Sequence, residues 1–146
     1  MIVKFESELR KFEEYLSTLH SQRLSCNQVE ITYINHIVPK SSDTVSDWFR
    51  IVNDAKLKVE DLSLNYRRIV TDDSNRPCGR LYSELNPAVK RDGKRILSLN
   101  ITVRGTPASP DVGASLDFLK KGRELIVNEF ATITTESAHQ HWKRLQ

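Results

Sequence analysis

Cysteine is scarce in this chain of 146 residues: Cys26 and Cys78 stand far apart, and neither has a His or a second Cys beside it at metal-ligand spacing. That pattern points to no disulfide framework and no zinc module, and it suits two plain thiols in a reducing compartment. Glycine and proline are also few, five of each, which excludes a collagen-like or low-complexity chain. No apolar run approaches the ~20 residues that a bilayer span requires. The opening MIVKFESELR turns charged at Lys4 and so lacks a secretory h-region. A cytoplasmic protein without membrane attachment is expected.

An excess of one charge is missing too. Lys and Arg number 22 against 19 Asp and Glu, a formal balance of +3 spread along the chain. Phosphate binding needs a concentrated cationic surface, so any nucleic-acid role has to rest on a local patch. The chain also lacks a Gly-x-Ser-x-Gly elbow, a phosphate-cradling glycine loop and His-Glu-x-x-His. Their absence lowers the expectation of an enzyme, although distant residues can still assemble a site. No cofactor and no metal are expected.

What is present is the length of one folded domain, residues 1–146, with 38% hydrophobic residues and a polar surface. Periodicity organises it. Phe5, Leu9, Phe12, Leu16 and Leu19 follow at steps of four, three, four and three, so they share one stripe of a helix over 4–21. Five large apolar side chains, at roughly 1.5–3 kcal/mol each when buried, call for a sheet to lie on. The period then drops to two over residues 29–38, where Val29, Ile31, Tyr33 and Ile37 share a face and Pro39 ends the run. Residues 42–57 read as a helix with Val45, Trp48, Phe49 and Val52 inward.

Three further strands follow. Leu62, Leu64 and Tyr66 alternate with Ser63, Asn65 and Arg67; residues 71–77 are dense in turn formers; residues 80–86 form a weaker strand. After the hairpin dipeptide Asp92-Gly93, Leu97, Leu99, Ile101 and Val103 alternate with Ser98, Asn100, Thr102 and Arg104. A second long helix is expected with Ser115 as its cap and Leu119, Ile126, Phe130 and Ile133 inward. Gly122 near its middle suggests a close approach of another backbone. A short last helix starts near Thr134 or Thr135 and carries His139, Trp142 and Leu145.

The order α-β-α-β-β-β-α-α predicts an α+β two-layer sandwich: an antiparallel meander of about four strands backed by two long helices. The other sheet face would present Thr32, Ile34 and His36 from the first strand and Asn65 and Arg67 from the second. Ser98, Asn100 and Thr102 join them from the fourth. This half-polar face, with Ile34 and Ile96 its apolar members, is the expected ligand or partner surface.

The strand Val29-Glu30-Ile31-Thr32-Tyr33-Ile34-Asn35-His36-Ile37 and the ending Phe130-Ala131-Thr132-Ile133-Thr134 with Trp142 beyond it carry a resemblance. They resemble the C-terminal half of a sporadically distributed family of uncharacterised bacterial and archaeal proteins with a Tyr-Ile-Asn strand motif. The resemblance implies an N-terminal half that this chain lacks: either a natural short form replaces that half by a partner subunit, or the sequence is a fragment. It supplies no activity and no catalytic residue. Sporadic distribution suits a mobile or defence-related gene.

Three readings of the candidate residues follow. The leading one is a non-catalytic binding or assembly module that uses the open face, with a homodimer expected. Lys90, Arg91, Lys94 and Arg95 on one hairpin suggest a grip on nucleic acid, with Arg67, Arg68, Arg76 and Arg80 as a possible extension. The plainer reading of that hairpin is a soluble, edge-protecting turn, because it has no interleaved aromatics. The third reading is a small enzyme around His36 with Tyr33 or Asn35. Asn35, on the apolar face, reads more simply as a buried amide that pins a loop or helix end. His139 and His141 point apart on a helix and are read as ordinary histidines beside a core Trp142. Asp47, Asp72 and Asp73 are read as cap and loop residues.

Overall fold

Side-chain alternation decides the sheet. The computed structural model describes residues 2–19, 24–39, 43–51 and 61–142. In it β1 (Val29–Ile37), β2 (Leu64–Thr71), β3 (Pro77–Val89) and β4 (Arg95–Gly105) form one antiparallel sheet in the order β1-β4-β3-β2. Only β2, β3 and β4 make the expected meander. The first strand does not extend it beside β2; it crosses to β4. Pairing there sets Ile31 opposite Val103, Tyr33 opposite Ile101 and Ile37 opposite Leu97. These are the two strands with a nearly continuous apolar face, whereas β2 presents Tyr66 and Arg68 on that side.

Helices complete the α+β two-layer sandwich: α1 (Ile2–Leu19), α2 (Val45–Trp48), α3 (Val112–Ile133) and α4 (Glu136–His141). The long α3 lies against β1 and β4. Its start is at Asp111, earlier than the expected Ser115, because the Asp111 carboxylate accepts the Ala114 N–H at 2.9 Å. Ser115 sits in the first turn and donates to the Asp111 carbonyl at 2.9 Å. At Gly122 the close neighbours are side chains: a Cβ there would stand 2.9 Å from Ile31 Cγ2 and 3.3 Å from Val103 Cγ1.

The stripe of α1 does not reach the strands as a layer of its own. This helix leans on α3, with Leu9 beside the cluster of Val112, Leu116 and Leu119. Phe5, Phe12, Tyr15 and Leu19 are left exposed. By the time α3 has covered β1 and β4, the space that the α1 stripe was expected to fill is taken.

At the far end of α3, the chain between β1 and β2 is tied down. Phe49 bridges Thr134, the Arg50 N–H donates to the Ile133 carbonyl at 3.0 Å, and the Thr135 N–H donates to the Trp48 carbonyl at 3.0 Å. Trp48 stacks on Trp142 with ring centroids 5.3 Å apart. The helix expected over 42–57 is confined to Val45–Trp48 among the described residues; its remainder at 52–57, together with residues 20–21 and Leu145, lies outside them.

Candidate functional site

The register groups the open face into cross-strand rows. One runs Thr32–Thr102–Tyr82–Arg67, the next Ile34–Asn100–Glu84–Asn65, and a third joins His36 to Ser98 and Asn86. All eight residues named from the sequence therefore share one face, and Glu30, Arg80, Tyr82, Glu84 and Arg104 join them. These additions were legible only as the weak alternation of β3 and the ends of β1 and β4. Ile34 is 64% exposed, whereas Ile96, expected beside it, is 5% exposed, so it adds little accessible apolar surface.

Tyr82 occupies the centre of this face. The guanidinium carbons of Arg67 and Arg104 stand 5.6 Å and 5.9 Å from its ring centroid, within cation–π range. Arg104 also pairs with Glu30, whose hydrogen bond and charge hold the guanidinium above its ordinary pKa. Thr32 and Thr102 hydroxyls meet at 2.8 Å. Beyond Tyr82 the face runs into an open cleft of about 620 Å³, whose wall includes Asn27, Gln28, Arg80, Tyr82 and Arg104. Arg80 donates to the Gly79 carbonyl at 3.0 Å and has no carboxylate partner among the described residues.

The basic hairpin has a different character. Lys90, Arg91, Lys94 and Arg95 are exposed. Asp92 lies 3.2 Å from Lys94 Nζ, and the Lys94 N–H is the main cause that holds its carboxyl below the usual range. Gly93 takes φ 81, the left-handed conformation that a tight hairpin needs. The four other arginines do not enlarge this patch. Arg67 and Arg80 lie on the open face, Arg68 turns to the covered face, and Arg76 pairs with Asp72 at 2.9 Å in the turn at the opposite end of β3.

A buried polar cluster under α3 escaped the sequence reading. Glu129 is 2% exposed, and its carboxylate accepts hydrogen bonds from Tyr66 Oη and Arg68 Nη1 and a longer one of 3.4 Å from Ser83 Oγ. Burial, and then the bond to Glu129, push the Tyr66 phenol up to about 12. The only signal was spacing: Glu129 stands three residues after Ile126 and four before Ile133, on the inward stripe. A cleft of about 450 Å³ opens above it between β2 and α3, where Lys121 donates to the Thr71 carbonyl at 3.0 Å. With three donors on the carboxylate, the cluster serves to join sheet and helix.

His36 is exposed, while Tyr33 and Asn35 lie on the covered face, so the sheet separates them. Asn35 Nδ2 donates to the Leu99 carbonyl at 3.3 Å, which pins the neighbouring strand instead of a loop or helix end. His139 Nε2 meets Thr134 Oγ1 at 2.7 Å, and His141 lies edge-on to Trp48 at 5.2 Å. Asp47 binds the Thr44 N–H at 2.7 Å and so acts in a cap. Among the described residues no three His, Cys, Asp or Glu side chains are grouped to hold a metal, and no helix is long and apolar enough to cross a membrane. Comparison with protein-family models, with curated proteins and with solved structures finds no match to this chain.

Proposed function

We propose that the protein is a non-catalytic binding or assembly module that works through the open face of its sheet. An antiparallel sheet can leave one face to water, with polar side chains alternating outward along each strand. Here the observation that carries the reading is Tyr82, set between Arg67 and Arg104 at the centre of that face, with Ile34 exposed on the same face. Away from the cleft the face holds both signs of charge, Glu84 against Arg67. A second copy related by a two-fold axis could match them, so a homodimer is the simplest assembly.

Sedimentation equilibrium at micromolar concentration tests it. The wild-type chain is expected above its 16.8 kDa monomer mass, and Ile34→Glu is expected to return it to that mass with an unchanged melting temperature. A monomer at every concentration would remove the homodimer from this reading.

A further inference from the structure

We infer that the open face ends in a site for a nucleoside phosphate, formed by Arg80, Arg104 and Tyr82 with the amides of Asn27 and Gln28. This rests on the reading of the face as a binding surface and adds what it binds. The cleft of about 620 Å³ is of the size that small-molecule sites have. Two guanidinium groups line it and no carboxylate does. Arg80 lacks a carboxylate partner among the described residues; its Nη1 donates to the Gly79 carbonyl, and its Nε–Nη2 edge is left for the bidentate contact that phosphate oxygens accept. Arg104 shares one edge with Glu30 and keeps its other N–H groups.

A phosphate alone would leave the flat guanidinium planes beside Tyr82 unused. Tyr82 lies between Arg67 and Arg104 and holds their guanidinium planes in a row, and a planar base can stack on the outer plane of such a guanidinium. Asn27 and Gln28 are exposed at the rim, where their amides can both donate to and accept from a base edge. The hairpin at residues 90–95 offers cations without a ring. It also lies at the other end of β3, about 25 Å of strand from Tyr82 at ~3.3 Å per residue. The same chemistry is found in a free mononucleotide and in one unit of a single strand.

Amide resonances of the full chain, followed during titration, separate these sources. The probes are adenosine monophosphate, inorganic phosphate and a deoxythymidine 12-mer. Monophosphate is expected to shift Arg80, Tyr82 and Arg104, and phosphate to shift the two arginines more weakly. Tyr82→Leu should weaken the monophosphate by about tenfold and leave phosphate unchanged. Arg80→Gln should weaken both, and Tyr82→Phe should keep both. A 12-mer bound much more tightly than the monophosphate, with an affinity that falls steeply with salt, identifies a strand as the source; equal affinities identify the free nucleotide.

Absence of any shift in the cleft at millimolar probe, or affinities untouched by Tyr82→Leu and Arg80→Gln in folded variants, overturns the site. If the chain then still dimerises through Ile34, only the ligand assignment falls. If it is monomeric as well, the reading of the face falls with it.

Discussion

Gly79 and Gly105 face each other across β3 and β4, beneath the ring of Phe118. A Cβ on Gly105 would stand 2.3 Å from the Cys78 carbonyl oxygen and 2.6 Å from Phe118 Cζ, distances that backbone cannot absorb. Gly105→Ala is therefore expected to lower stability by about 3 kcal/mol or more, read from the urea midpoint at constant m. Tyr66 carries a prediction of a different kind. Its folded pKa of about 12 exceeds the unfolded value, so the folded state keeps a proton that the unfolded chain releases. That stabilisation is complete below about pH 10 and is lost as pH rises toward the folded value. Tyr66→Phe should flatten this part of the alkaline decline in melting temperature. An unchanged slope would show that burial and Glu129 do not raise the Tyr66 phenol in the folded state.

Between the two long helices, burial and not sequence pattern decides which one matters. The stripe of α1 is the more regular, yet Phe12 is 50% exposed, whereas Leu116 of α3 is 1% exposed. Leu116→Ala is expected to cost about 2–5 kcal/mol, and Phe12→Ser less than about 1 kcal/mol, in the same denaturation assay. Hydrogen exchange should find α1 opening at a lower free energy than α3. A periodic stripe shows that a helix has an apolar side. Which surface remains for that side depends on what the other elements have already covered.

For the whole molecule, β2, β3 and β4 already set Arg67, Tyr82 and Arg104 side by side, and the order β1-β4-β3-β2 is what brings Glu30, Thr32 and the rim at Asn27 and Gln28 to them. In a plain meander, β1 would neighbour β2, and Glu30 and Thr32 would be three strands away from Arg104 and Thr102. With β1 beside β4, Glu30 reaches Arg104 and Thr32 reaches Thr102. The same arrangement leaves β1 and β2 as the two sheet edges. If the dimer proposed above used these edges and not the face, Ile34→Glu would leave the mass unchanged, while proline in β1 at a residue with an outward N–H would halve it.

The parity of β1, β2 and β4 was legible in the sequence. A side-chain period of two places Thr32, Ile34 and His36 on one side and Tyr33 and Asn35 on the other, whatever the neighbours are. Helix existence and the two hairpin turns were legible for the same local reason. Pairing was not, because it depends on which apolar faces find each other across long separations in sequence. So the ring of Tyr82 between two arginines, the carboxylate of Glu129 under three donors and the half-exposed stripe of α1 were all decided in the tertiary structure.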